Sequence, residues 1–139
     1  MELDFALLAE AADTSIDGKL HMLGGGFDGV AIPHIDYTAP PMAIIARFSV
    51  DATEFETEHT LGFRLIRPDG AEKWIVEDAK LQFARPLEEW RRSQTVAIVR
   101  AAMKFEQIGK YEIHVYGDGV HLKTLDMHVA IVGNSEKAE

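Results

Sequence analysis

The amino-acid sequence predicts an all-β fold, either a β-sandwich or a β-barrel, of about nine short strands. Two observations support this prediction. Apolar and polar residues alternate with a period of two along much of the 139-residue chain, which is typical of half-buried strands. Turn residues interrupt the alternation about every eight to twelve residues, as they do in sandwiches and barrels.

The alternation places the strands in order along the chain. The first is predicted at residues 3–10, although the good helix formers of 6–12 make a helix the alternative on propensity alone. We favour a strand because no helix cap precedes this segment. Further strands are predicted at 19–23, 27–32, 42–50, 61–65, 74–81, 97–105, 111–116 and 120–131, with at most one short helical turn at 86–92.

The last two strands are predicted to form a hairpin. Asp118-Gly119 is a strong signal for a two-residue type I′ turn, which places Val115 opposite Leu122. A three-residue loop would mix the apolar and polar faces. The apolar pattern then changes phase, so we predict a β-bulge at 123–124, beyond which Ile113 pairs with Leu125 and Tyr111 with Met127.

Composition excludes several functional classes. A net charge of -9 argues against non-specific nucleic-acid binding, which depends on Lys and Arg neutralising phosphates. The chain has no cysteine, so thiolate catalysis and Cys-based zinc sites are excluded. With Glu2 and Asp4 near its start and no long apolar run, neither a signal peptide nor a membrane span is expected, and a cytoplasmic location is the default prediction.

The glycine triplet at 24–26 invites comparison with phosphate-binding loops. Such loops lie between a strand and a helix, whereas residues 27–32 here read as a strand, and no Gly-Lys-Ser/Thr follows. The glycines are better explained by close backbone approach within a sheet.

Six histidines raise the question of a metal site. In the predicted hairpin His114 and His121 lie diagonally on the outward face, which would suit a two-histidine site. Because a third ligand is not evident and Lys123 lies beside them, we favour a solvated polar face and predict no metal or other cofactor. The alternating Glu54, Glu56 and Glu58 lack the pattern of a calcium loop and are interpreted as an acidic edge.

Two aromatic clusters are candidates for ligand binding. Trp90 with Arg91 and Arg92 could hold an acidic peptide or a sugar by stacking and bidentate pairing. His34 and Tyr37 lie in a proline-rich loop. In both places the alternative is structural packing with local ion pairs.

Three stretches of the chain form a recognisable set: residues 5–10, residues 18–28, and residues 109–113 together with 122–125. In these stretches the chain resembles a family of small bacterial proteins of uncharacterised function. The resemblance implies a two-sheet antiparallel β-sandwich of about eight or nine strands, roughly immunoglobulin-like, and no established activity, cofactor or catalytic residue.

From these observations we predict a single sandwich domain at 1–132 with a flexible tail at 133–139. The favoured function is a non-enzymatic binding or assembly module of the bacterial cytoplasm, with no catalytic residues. Homodimerisation through a sheet face near Val96 and Ile98, or binding of another protein, is the expected partnership. The alternatives are a metal- or carboxylate-dependent enzyme acting on a sugar-like substrate, and a carbohydrate-binding module that uses Trp90 or Tyr37.

Overall fold

A computed structural model of the chain describes residues 1–55, 57–86, 88 and 92–132. Within these residues the chain is almost entirely β-structure. The strands are β1 (Glu2–Ala9), β2 (Ala11–Thr14), β3 (Leu20–Leu23), β4 (Gly29–Ile32), β5 (Tyr37–Thr38), β6 (Met42–Val50), β7 (His59–Ile66), β8 (Glu72–Leu81), β9 (Ser93–Ala101), β10 (Lys104–Phe105), β11 (Gly109–Gly117) and β12 (Val120–Ile131).

Helical structure in the described residues is limited to a 3₁₀ turn at Ala52–Glu54, where the Asp51 carboxylate accepts a hydrogen bond from the Thr53 amide. Most of the helical turn predicted at 86–92 lies outside the described residues. None of the described helical structure is long and apolar enough to cross a bilayer.

Most strands belong to two antiparallel sheets that enclose a common core. One sheet has the order β1-β6-β9 and the other the order β4-β12-β11-β7-β8, and among the described strands only β4 and β12 pair in parallel. With β1, β6 and β9 as strands A, B and E, and β12, β11, β7 and β8 as G, F, C and C′, this is an immunoglobulin-type order. The all-β sandwich prediction is confirmed, and the barrel alternative is wrong because neither sheet closes within the described residues.

Strand β6 is the central strand of its sheet and is buried on both faces. Ile44, Ala46 and Phe48 enter the core between the two sheets. Ala43 and Ile45 face the opposite way, into a smaller cluster that the β2–β3 ribbon helps to cover. Burial on both faces explains why the sequence of β6 is an almost continuous apolar run.

The outer face of the three-stranded sheet includes Val96 and Ile98, the residues of the predicted dimer surface. Both are half-buried and pack against the smaller cluster, beside Leu20 from β3. This face is therefore partly covered by the chain itself. Dimerisation through it stays a prediction.

The predicted type I′ turn between β11 and β12 is confirmed. Asp118 and Gly119 have φ angles of 52° and 77°, the positive values that this turn needs at both central positions. The predicted pairs Ile113–Leu125 and Tyr111–Met127 are present.

The predicted pairing of Val115 with Leu122 is wrong. Val115 pairs with Lys123, and Tyr116 pairs with His121, so Leu122 is the extra residue and the bulge lies there rather than at 123–124. Gly117 explains the position: a Cβ atom on it would lie 2.7 Å from Leu122 Cδ1, so the absence of a side chain leaves room for the bulged leucine.

Tyr111 fixes the entry to β11. Its hydroxyl donates a hydrogen bond to the Gln107 carbonyl at 2.9 Å and accepts one from the Gln107 amide at 3.3 Å. A tyrosine near the start of strand F that bonds the backbone a few residues upstream is the tyrosine corner of immunoglobulin-type sandwiches. The ring is buried and packs edge-on against Phe105.

The glycine triplet is explained by close approach and backbone conformation. Gly24 has a φ of +60°, and a Cβ on it would lie 2.6 Å from Glu10 Cδ; a Cβ on Gly25 would lie 2.5 Å from Met22 Sδ. Gly26 has a φ of +85° and bonds the Leu8 carbonyl. A strand, not a helix, follows, so the structural interpretation of these glycines is confirmed.

Candidate binding cleft beside a free strand edge

A cleft of about 820 Å³ opens at the end of the sandwich where β6 begins. Its volume lies within the range of about 300–1,000 Å³ that is typical of ligand sites. Three segments line it: the glycine triplet, residues 29–31 of β4, which we call the base, and Tyr37 with residues 39–42, which we call the far wall.

The base of the cleft is a strand edge that has no neighbour among the residues the structure describes. There β4 (Gly29–Ile32) is the edge strand of its sheet and pairs only with β12. The Asp28 carbonyl accepts a hydrogen bond from the His128 amide of β12, and the Ile32 carbonyl accepts one from the Val132 amide just after β12. Alternate residues of a parallel strand bond the same neighbour, so Gly29 and Ala31 turn their N–H and C=O groups away from β12.

Gly29 and Ala31 are exposed, and both line the cleft. Their outward backbone groups therefore lie at the cleft surface without a strand partner in the described part of the chain. An edge of this kind can pair with another extended chain. The small side chains leave the approach to the edge open.

The far wall is rigid and apolar. Its backbone is anchored by hydrogen bonds from Asp36 N to the Phe105 carbonyl and from Ala39 N to the Met103 carbonyl, at 2.8 and 3.0 Å. Pro40 and Pro41 follow, and each has a restricted φ and no N–H donor. The wall thus offers shape and apolar contact, and few hydrogen bonds.

Two of the predicted binding residues meet at this wall. The rings of His34 and Tyr37 are 5.7 Å apart and almost perpendicular, and the half-buried Tyr37 lines the cleft. His34 also bonds the Ile35 carbonyl through Nδ1 at 2.8 Å. Tyr37 is a binding-wall candidate, and His34 supports its ring from outside.

The charge of the cleft comes from one side chain. Among the residues that line it, Glu10 alone carries a formal charge, and Leu23, Phe27 and Val30 add apolar surface. These lining residues include no histidine, serine or lysine.

Arg92 does not join His34 and Tyr37. It contacts the Ser49 carbonyl at 3.3 Å and Glu2 at 3.6 Å, near the end of β6, whereas the cleft lies at the start of that strand. Trp90 and Arg91 lie outside the described residues. The two clusters that the sequence offered as separate candidates thus have their described members, Arg92 on one side and His34 with Tyr37 on the other, near opposite ends of β6.

The two weak metal candidates are close together but do not converge as ligands. The rings of His114 and His121 are 4.5 Å apart and inclined by 35°, so they stack. Nε2 of His114 contacts Glu112 at 2.8 Å, and Nε2 of His121 contacts the Thr124 hydroxyl at 2.9 Å. The hydrogen bond from His114, and then the one from Lys110, lowers the pKa of the Glu112 carboxyl.

The acidic residues between β6 and β7 have cationic partners. Glu54 contacts the Met1 amino group and lies 3.9 Å from His59, and Glu58 pairs with Lys80 at 3.1 Å. Glu56 lies outside the described residues. No group of three or more histidine, aspartate or glutamate residues within the described ranges could hold a metal ion.

Sequence reasoning missed the β4 edge. The sequence did carry a hint of an open edge: the glycine triplet is followed by the small residues Gly29 and Ala31, and Pro33 then ends the strand. The parallel pairing with β12, which creates the edge, joins segments about a hundred positions apart and has no local signature.

Comparison with known proteins gives a family and no activity. No curated protein and no solved structure matches the chain. A family of unknown function, DUF6941, matches residues 4–130. The chain, with its two-sheet sandwich and its cleft at the edge of β4, therefore belongs to the DUF6941 family, whose function is unknown.

Proposed function

We propose that this protein is a non-enzymatic binding module that takes up an extended peptide segment as an added strand beside β4. The observation that carries the proposal is the free edge of β4 inside an apolar cleft, with the outward backbone groups of Gly29 and Ala31 at its base. Strand addition is an established mode of peptide recognition, in which main-chain bonds provide affinity and side-chain contacts provide specificity.

The dimensions of the cleft favour a single extended chain. β4 has four residues, which at about 3.3 Å per residue span roughly 13 Å. A peptide would be held over about three to five residues. Tyr37 and Pro40 line the same cleft as the β4 edge, so a slender segment fits more readily than the edge of a second folded sheet.

The main-chain groups of β4 limit the affinity expected for a bound peptide. Two outward residues offer two N–H and two C=O groups, and a net hydrogen bond contributes about 0.5–1.5 kcal/mol. Because ordering a free peptide costs several kcal/mol, apolar side chains must add contacts with Phe27 and Tyr37. We expect dissociation constants of roughly 1 μM to 1 mM.

The proposal is tested by removing one outward donor without disturbing the fold. Ala31→Pro deletes an N–H group that faces away from β12, a position where an edge strand tolerates proline. Ala31→Thr is the matched control, because it keeps the N–H and favours a strand. An array of nonapeptides with alternating apolar and polar residues supplies the probes.

We expect the selected peptides to bind wild type and Ala31→Thr alike, and to bind Ala31→Pro at least 10-fold more weakly by fluorescence polarisation. Amide exchange at Gly29 and Ala31 should slow on binding, while that of Val30 should not change. Equal binding by the proline variant, or protection of Val30 alone, would show that the β4 edge is not the binding element.

A further inference from the structure

A β-bulge in β8 opens a second cavity on the outer face of the five-stranded sheet, away from the cleft. Leu61 pairs with Ala79, but Phe63 pairs with Val76, so two residues, 77 and 78, lie opposite Gly62 alone. Asp78 has a φ of 49°, in the left-handed region that is uncommon for residues other than glycine. Bulges redirect side chains and are frequent beside functional sites.

The bulge borders a cavity of about 170 Å³ with an aromatic wall. The rings of Trp74 and Tyr116 are 5.2 Å apart and both line it. Gly62 lies beneath them, and a Cβ on it would be 3.0 Å from Trp74 Cζ3. The glycine thus allows the indole to lie close against the sheet, and Trp74 keeps 37% of its surface exposed.

The two rings already attract one cation. The guanidinium of Arg64 lies 5.3 Å from the Trp74 ring centre and 5.2 Å from that of Tyr116. Its Nη2 donates to the Tyr116 hydroxyl at 2.5 Å, and its Nη1 pairs with Glu72 at 3.3 Å. Arg64 therefore holds both rings in place, and Glu72 balances its charge.

The two carboxylates of the bulge have no cationic partner among the described residues. Glu77 and Asp78 line the cavity, and neither makes an ion pair or side-chain hydrogen bond with any residue in the described ranges. Thr60 adds a hydroxyl to the same lining. The cavity lining combines two aromatic rings with two negative charges and includes no cationic side chain; Arg64, which contacts the same rings from outside the lining, is paired with Glu72.

We propose that this cavity binds an organic ammonium group, either the end of a lysine side chain or a small alkylammonium ion. Cations are attracted to the faces of Trp and Tyr, and the two carboxylates add Coulomb attraction. The volume suits one ammonium group with its methyl substituents rather than a larger ligand. This site is separate from the β4 cleft and does not depend on peptide binding there.

Choline and its uncharged isostere 3,3-dimethyl-1-butanol provide a matched pair of probes. Binding is followed by NMR through the indole N–H of Trp74, assigned with Trp74→Phe. We expect choline to bind at least 10-fold more tightly than the isostere, with weakening as salt rises. Equal binding of the two probes, or binding of glucose in place of choline, would overturn the proposal.

The double variant Glu77→Gln, Asp78→Asn tests the charges without burying new groups, and asparagine tolerates the left-handed φ of position 78. It should weaken choline binding at least fivefold and leave the unfolding midpoint in urea within error of wild type. Unchanged choline affinity in this folded variant would refute the role of the carboxylates. Comparing choline with an Nα-acetylated, C-terminally amidated lysine distinguishes a small-molecule ligand from a protein side chain.

Discussion

His59 Nδ1 lies 2.8 Å from the Oδ2 atom of Asp118, which joins the first residue of β7 to the turn of the β11–β12 hairpin. The ring is buried, and its other nitrogen lies 3.3 Å from the Glu54 carbonyl. The other carboxylate oxygen of Asp118 accepts a hydrogen bond from the Thr60 amide. One imidazole therefore connects the start of β7 to two turns at this end of the sandwich.

Replacing His59 with alanine should lower the free energy of unfolding by about 2–4 kcal/mol, because it leaves a cavity and unpaired polar groups. The measurement is urea denaturation at neutral pH. Lys73→Ala, at an exposed position on β8, is the control and should change stability by less than about 0.5 kcal/mol. A loss from His59→Ala as small as that of the control would contradict the connecting role.

Tyr111→Phe should destabilise the fold by about 1–3 kcal/mol, because the amide and carbonyl of the half-buried Gln107 lose their partner. Urea denaturation at pH 7 measures this loss. If the variant matched wild type, the corner would be a packing feature and its hydrogen bonds would not contribute.

The same tyrosine predicts an alkaline pH dependence. Burial raises the pKa of the Tyr111 hydroxyl, so the unfolded chain loses this proton first as pH rises. The protonated Tyr111 hydroxyl therefore contributes fully to the free energy of unfolding below about pH 10, the ordinary pKa of tyrosine. This contribution is lost as pH rises through the higher pKa of the folded state. Wild type should therefore lose more stability than Tyr111→Phe between pH 9 and 11, and parallel curves would exclude the effect.

Gly117→Ala should destabilise the protein by about 1–3 kcal/mol through overpacking. The added Cβ would lie 2.7 Å from Leu122, 2.9 Å from Met1 and 3.2 Å from Phe48. Gly119→Ala is the matched comparison: nothing lies within 4 Å of its Cβ, but its φ is +77°, so it tests backbone strain of about 1 kcal/mol alone. Thermal unfolding of both variants should rank Gly117→Ala as the less stable, and the reverse order would mean that the bulged leucine moves aside at little cost.

Local periodicity predicted most of the strands, because burial of one face imposes a period of two. The turn at Asp118-Gly119 was predictable because only a few residues accept positive φ at both positions. The position of the bulge was not predictable from the sequence. An extra residue at Leu122 or at Lys123 would equally bring the apolar residues of β12 back to the core face, and the choice between them depends on the space above Gly117. That space is a tertiary property.

The candidate sites were less predictable than the fold. Tyr37 was identified from its proline-rich loop, but its partner surface on β4 depends on a distant parallel pairing. Trp74 was assigned only to a strand, because the bulge beside it at 77–78 follows no local rule in the sequence. Sites formed between strands depend on register, and register emerges only when the sheets assemble.

The parallel pairing of β4 with β12 also determines how the sandwich resists pulling. When the C-terminal end of β12 is pulled in one direction and the N-terminal end of β4 in the other, the force shears the two strands. All the hydrogen bonds between them then bear the load at the same time. An antiparallel pair pulled from its adjacent ends would instead open one bond at a time. Mechanical load applied across these two segments is therefore carried by the short strand that also forms the base of the cleft.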